Sequence, residues 1–180
     1  MSEKERRTPR GSITREEIIE HRGYYDLNGD WNCVLTFPQY PNMLFRGRVE
    51  VLILNDCNSI YMVPYGKDRY RIPGGSIERY RSHKYQVAME AKEEARILLG
   101  QIDYTEYSYF KFFKNTYSQY DISWQGSYNE VYVSHFKEWY TGPIKKSVQD
   151  EGMYKYGRFV PFEYAINILN DHHKKALKLI

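Results

Sequence analysis

The chain has 180 residues, 42% of them hydrophobic and 27% charged, with a formal net charge of +3. That length is enough for one domain with a substantial core, the composition excludes a fibrous or low-complexity chain, and the charge is too small to specify a polyanionic partner. No run approaches the roughly 18 apolar residues of a membrane span, and the basic start MSEKERRTPRGS lacks the apolar stretch of a secretory signal, so a cytoplasmic protein with no membrane partner is expected.

Residues 1–12 carry Arg6, Arg7 and Arg10 with almost nothing to bury, and read as a disordered basic arm. Thr14 and Glu17 make a capping box, which predicts a short helix over 15–21. Asn28-Gly29 lies between Tyr24-Tyr25 and the run 31–37, a hairpin signal, and Pro38 and Pro41 end that run. Residues 13–46 therefore read as a helix and hairpin extension, suited to a covering role or a homodimer contact. The main domain is expected over 47–180.

Residues 48–54 (RVEVLIL) alternate and then turn continuously apolar, as a central strand does. A turn at 55–59 leads to a strand at 60–63, a second turn at 64–67, and a short strand at 70–72 that meets Pro73-Gly74-Gly75. Ala88, Ala91, Ala95 and Leu98 predict the buried stripe of a helix capped by Gly100. Two alternating stretches, 104–113 and 128–136, read as long strands, with a loop at 115–127 between them. A polar connection at 141–157 precedes a short strand at 158–160, a helix opened by Pro161, and a basic helix that Asp171 would cap. This order predicts an α+β domain with a mixed sheet and helices on its faces. Cys33 and Cys57 have no CxxC spacing and read as two buried free thiols.

The predicted helix after Gly75 carries Glu90, Glu93 and Glu94. Acids at i, i+3 and i+4 share one side of a helix and repel by a few tenths of a kcal/mol per pair. Taken alone they are a solvated face, with Arg96 placed to pair with Glu93, or a cluster that holds a cation.

Gly75 followed by Glu90, Glu93 and Glu94 fifteen, eighteen and nineteen residues later resembles the Nudix box, G-x5-E-x7-R-E-U-x-E-E-x-G-U, where U is a bulky aliphatic. The match runs over residues 75–97 without a gap. Ile77-Glu78 and the late Phe159-Val160-Pro161 also resemble the family pattern. The resemblance implies a Nudix-type α/β/α sandwich with a mixed central β-sheet. It implies Mg²⁺ or Mn²⁺ held by the Gly75 carbonyl, Glu90, Glu93 and Glu94, with Glu90, Glu94 or the more distant Glu130 as the base. It further implies hydrolysis of a diphosphate linkage in a nucleoside diphosphate derivative (NDP-X to NMP and phospho-X), a nucleotide-like small molecule being the partner rather than a nucleic acid. Glu130 otherwise reads as an exposed residue of an alternating strand, and Glu106 and Glu138 are weaker claimants.

Three box positions depart from the pattern: Arg81 replaces the first Glu, Met89 the Arg that holds a catalytic Glu, and Arg96 the Gly that ends the helix. Losing that Arg leaves Glu90 less constrained, and Arg96 lets the helix run on towards Leu99. The departures support an alternative, a catalytically weakened Nudix fold that serves as a nucleotide-binding or protein-interaction module. Arg81 is a candidate for substrate phosphate. Tyr70 and Trp124, with Tyr65 and Tyr117, are candidates for stacking a base. His83 is placed either to touch phosphate or on the surface, and His172-His173 reads as solvent-exposed.

Overall fold

In a computed structural model the described residues are 23–25, 31–64, 69–78, 81–119, 122–144 and 157–180. The expected arm over 1–12, the helix over 15–21, the Asn28-Gly29 turn, Tyr65 and most of the polar connection after 141 lie outside them.

β1 (Gly23–Tyr25) and β2 (Trp31–Phe37) form the expected antiparallel hairpin. β2 then pairs with β3 (Tyr40–Leu54), the strand through which the sheet is built. β3 also pairs antiparallel with β4 (Ser59–Pro64) and, further along, with β6 (Gly74–Ser76). Between these two, β5 (Tyr70–Arg71) adds to β4. After the helix α1 (His83–Ala95) come β7 (Ile97–Leu99), β8 (Asp103–Gln119) and β9 (Ile122–Trp139). β9 runs parallel to β3 over ten residue pairs from Phe45↔Gly126 to Leu54↔His135, and takes β7 and β8 antiparallel. β10 (Arg158–Pro161) joins β4, and α2 (Phe162–Ile168) and α3 (Asp171–Leu177) close the chain.

Alternation along β3 divides the core. Val49, Val51 and Ile53 pack with Val87, Ala91 and Ala95 of α1. Leu52, which faces the other way, packs with Val131, Ala165 of α2 and Ala176 of α3. Each fully buried Val or Ile in these layers contributes roughly 1.5–3 kcal/mol. The result is the expected α/β/α arrangement, a mixed sheet between α1 on one face and α2 and α3 on the other.

Several expected boundaries move. β3 starts at Tyr40 and crosses position 46–47 unbroken, so the expected start of the domain falls inside a strand. The reason is packing: Cys33, Leu35 and Phe45 are fully buried in the α1-side core. The loop expected at 115–127 is ladder instead, because β8 and β9 stay paired to Gln119↔Ile122 after a register shift between Phe112 and Tyr117. α1 stops at Ala95, not near Leu99, and Gly100 is not its cap. Arg96 itself adopts the left-handed conformation (φ 57) and its N–H bonds Lys92 O at 3.1 Å. Ile97 is then free to bury fully and pair with Trp139 in β7. The N-cap of α3 is Asn170, whose side chain accepts from His173 N, and not Asp171. Both cysteines are free; Cys33 is buried as expected, whereas Cys57 is exposed in the turn before β4. Among the described residues no helix is long and apolar enough to cross a membrane.

Candidate active site

Ser82 caps α1, its hydroxyl accepting from Tyr85 N at 3.1 Å. The side of α1 that carries the acids lies against β6. A Cβ placed on Gly75 would collide with the Glu90 carboxylate, so the absent side chain is what lets that carboxylate rest on the strand. One residue earlier, Gly74 N donates to Glu94 Oε2 at 3.2 Å. Two of the box acids are thereby gathered at the two glycines by the backbone itself. Gln86 Nε2 donates to Glu90 Oε1 at 2.8 Å, which supplies the restraint that Met89 does not. The sequence reading, which left Glu90 loose, is corrected by this bond.

Glu90 as a residue is partly exposed, but its carboxyl is pressed down on Gly75. Burial, then the charges of Glu94 and Glu93, hold it well above the usual carboxylate range; the Gln86 hydrogen bond and the field of Arg48 pull the other way. Among the described residues no three His, Cys, Asp or Glu side chains already converge as a metal site. Mg²⁺ commonly takes one or two carboxylates and completes its shell with water and phosphate oxygens. Crowded oxygen donors whose mutual repulsion a dication would relieve, beside a strand with no side chain in the way, are a donor set of that kind, so the residues fit a divalent ion.

Glu130 is neither exposed nor in solvent reach. It sits directly across β3 from Gly75, since Gly75 pairs with Val49 and Val49 with Glu130, and it is fully buried. Its Oε1 faces His83 Nδ1 at 2.7 Å and accepts from Tyr132 at 2.9 Å, and its Oε2 accepts from Tyr128 at 3.0 Å. His83 is thus a buried residue on the first turn of α1, not a surface one, and its buried Nε2 has no hydrogen-bond partner among the described residues.

On the opposite face of the sheet lies a cavity of about 640 Å³. Its floor follows from register. Arg46, Arg48 and Glu50 alternate with core residues on β3; Ser127 and Asn129 stand beside the arginines on β9; Lys111 and Tyr109 stand beside those on β8. Arg69 and Arg71, around β5, form a side wall, and α3 brings in His172 and His173. Arg46 Nε donates to Ser76 Oγ at 2.8 Å. Glu50 accepts from the Tyr109 hydroxyl, and its Oε2 lies 3.1 Å from His173 Nε2. Burial would raise the Glu50 pKa, but the charge and hydrogen bond of His173, the Arg48 guanidinium and the Tyr109 hydroxyl bring it down to about 2. His172 stacks flat on Tyr109, with ring centroids 4.0 Å apart, and meets the Tyr107 hydroxyl at 2.8 Å. The expected solvent exposure of the His pair is overturned, His173 being buried. Arg48 lines the cavity, and its positive charge acts both on Glu50 there and, against the raised pKa, on Glu90.

Of the substrate candidates, Tyr70 lines this cavity and accepts from Arg158 at 3.4 Å. Arg81 does not line it; it pairs with Glu78 at 2.6 Å and lies over the Tyr85 ring. Trp124 does not either. It is 5% exposed and packed on Val34, so the expected stacking surface is core. The cavity residues went unnoticed in the sequence although a signal was present, because Arg46, Arg48 and Glu50 repeat every second position along a strand whose other side is apolar.

No family model matches the sequence and no curated protein matches it. Solved structures do. A Nudix hydrolase from Nitrosomonas europaea matches with a TM-score of 0.55 at 11% identity, over 74% of this chain and 86% of its own. A Bacillus subtilis pyrophosphohydrolase, BsRppH, matches with a TM-score of 0.52 at 12% identity, over 88% of this chain and 94% of its own. A MutT protein from Bacillus halodurans gives 0.50 at 11% identity, over 74% and 78%. Likeness of shape at such low identity speaks for architecture, and it agrees with the box residues that β6 and α1 bring together: this chain has the Nudix fold.

Proposed function

We propose that the chain hydrolyses a diphosphate linkage in a nucleoside diphosphate derivative, releasing a nucleoside monophosphate and phospho-X. The observation that carries the reading is the seating of Glu90 and Glu94 on Gly74-Gly75, with Arg48 linking them to a basic cavity. Glu90, Glu94, Glu93 and the Gly75 carbonyl would hold Mg²⁺ or Mn²⁺. Such an ion supplies charge neutralisation at the phosphates and a lowered pKa for the attacking water.

The protein groups have separable tasks. Glu90, seated on Gly75 and oriented by Gln86, is the acid we assign to accept a proton from the attacking water. Gln86 keeps its Oε1 in one orientation. Arg48 offsets charge on the diphosphate. We assign Glu130 to positioning and not to proton transfer, because His83, Tyr128 and Tyr132 occupy its oxygens and tie it to the first turn of α1. The weakened-site alternative rests on Met89 and Arg81, and the Gln86 bond answers the first of these departures.

The test is ³¹P NMR of a panel of nucleoside diphosphate derivatives with Mg²⁺ or Mn²⁺. Metal-dependent appearance of a monophosphate that disappears in Glu90→Gln and Glu94→Gln is expected. Tight binding with no product from any member of the panel sinks the proposal in favour of a binding module.

A further inference from the structure

We infer that one buried water joins His83 to Gln86 on the inner side of α1, and that through it His83 is a positioning residue for Glu90. The inference deepens the proposed hydrolysis and rests on its assignment of Glu90 to the attacking water.

The side of α1 that meets the sheet carries Val87, Ala91 and Ala95, yet it begins with two polar residues, His83 and Gln86. These are only 5% and 4% exposed. Each keeps one buried side-chain atom with no hydrogen-bond partner among the described residues, Nε2 of His83 and Oε1 of Gln86. A buried polar atom left bare is costly, and native proteins commonly satisfy one with an internal water. Positions 83, 86 and 90 share one side of the helix, and residues three apart have Cβ atoms about 5–6 Å from each other. One water spans about 5.5 Å, the sum of two hydrogen bonds of roughly 2.8 Å.

Hydrogen-bond chemistry selects water over a direct contact. Both Glu130 oxygens accept from a tyrosine hydroxyl, Oε2 from Tyr128 and Oε1 from Tyr132. The His83 Nδ1 that lies 2.7 Å from Oε1 therefore carries the hydrogen, and in the neutral ring Nε2 is then an acceptor. Gln86 directs its Nε2 hydrogen to Glu90, and its own Oε1 is likewise an acceptor. Two acceptors cannot bond each other, whereas a water donates one hydrogen to each. The resulting chain runs from Tyr132 and Glu130 on β9 through His83, the water and Gln86 to Glu90. An amide held at its oxygen does not turn its N–H away from Glu90, so His83 acts through Gln86 and not on substrate.

Amide side chains separate the two ring nitrogens. In His83→Asn the amide reaches the Nδ1 position, keeping the bond to Glu130 and losing the acceptor for water; in His83→Gln it reaches the Nε2 position, and the reverse holds. His83→Asn is expected to lower kcat about 10-fold with KM little changed, and His83→Gln by less than about 3-fold. Urea midpoints should fall in the opposite order, because His83→Gln leaves Glu130 without its imidazole. In a Gln86→Ala background His83→Asn should add less than about 2-fold, the path being already cut. A kcat in His83→Asn equal to or above that of His83→Gln, or losses that multiply, would overturn the inference. Two readouts need neither turnover nor metal. Imidazole ¹⁵N shifts of the wild-type chain in EDTA at neutral pH should show Nδ1 protonated and Nε2 bare, with an Overhauser effect from water to the ring; a proton on Nε2, or no such water, overturns the inference even where a variant fails to fold. Exchange of the Gln86 side-chain N–H with solvent should quicken at least about 10-fold in His83→Asn and not in His83→Gln, and equal exchange in the two removes the positioning role. Metal-dependent turnover indifferent to His83→Asn overturns this inference alone. If no substrate is cleaved, the hydrolase reading fails by itself and the two resonance readouts still decide the water and its hold on Gln86.

Discussion

Gln86 Nε2 donates to Glu90 Oε1 at 2.8 Å from one helical turn earlier on α1. The two side chains meet because positions four apart lie on the same side of a helix. Gln86 is buried while Met89, at the position where the box expects an Arg, contributes no charge. The restraint on Glu90 has therefore moved three residues back along the helix and changed from an ion pair to a neutral hydrogen bond.

Gln86→Ala is expected to lower kcat by about 10–100-fold with KM little changed, the scale on which a misplaced catalytic group costs rate. Adding Met89→Arg to that variant should recover part of the loss, because it restores a donor from the neighbouring position. Steady-state kinetics on the substrate found by ³¹P NMR decides it; a Gln86→Ala enzyme with wild-type kcat would show that the bond does not orient Glu90 in the reaction.

The two glycines of β6 should respond differently to alanine. At Gly75 the new methyl meets the tip of the Glu90 side chain, which is able to swing away. Gly75→Ala is thus expected to lose about 100-fold or more in turnover while costing little more than the Gln86 hydrogen bond, about 1 kcal/mol. At Gly74 the methyl meets Val49 O at 2.7 Å, backbone that has nowhere to go, so Gly74→Ala should lose about 1–3 kcal/mol of stability. Urea titrations read beside activity separate the cases, and equal destabilisation of both variants would contradict the geometry.

Glu50 sets an acid limit on the fold. Its pKa falls from an ordinary 4.5 to about 2 on folding, so the unfolded chain binds the proton more readily. The stabilisation is fully present above about pH 4.5 and is lost as pH falls towards 2. Between pH 5 and pH 3 the wild-type chain should lose about 2 kcal/mol through this group. Glu50→Gln should lack that component, its carboxamide having no proton to take up. Unfolding free energies at the two pH values test this, and an unchanged slope in Glu50→Gln would place the acid sensitivity elsewhere.

How legible was this in the sequence? The spacing from Gly75 to Glu90, Glu93 and Glu94 was visible because a turn glycine and a helix face are local patterns, and β6 and α1 do bring Glu90 and Glu94 to the glycines. The basic cavity was not visible as a site, because Arg48, Asn129 and Tyr109 are made neighbours by strand register between residues far apart in the chain. His173 could not be assigned to Glu50 for the same reason: the pair joins α3 to β3 across 123 residues. Trp124 misled because an aromatic in an expected loop reads as accessible, whereas the hairpin of β8 and β9 continues and buries it. The helix end misled because only glycine signals a left-handed cap in sequence, and here Arg96 takes that conformation.

Arg96 gives the last prediction. A side chain at φ 57 crowds its own backbone and costs about 1–2 kcal/mol, a penalty glycine does not incur. The guanidinium offsets part of this, since it donates to Gly142 O at 3.3 Å from the end of α1. Arg96→Ala keeps the strain and removes that contact, whereas Arg96→Gly removes both. Arg96→Gly should therefore be more stable than Arg96→Ala by about 1 kcal/mol, even though glycine leaves the unfolded chain more entropy to lose. Helix-propensity rules for an interior position give the opposite order, by about the same amount. Chemical denaturation of the two variants distinguishes a helix that ends at Ala95 from one that runs on towards Leu99, and the order Ala above Gly would mean that α1 continues through Arg96.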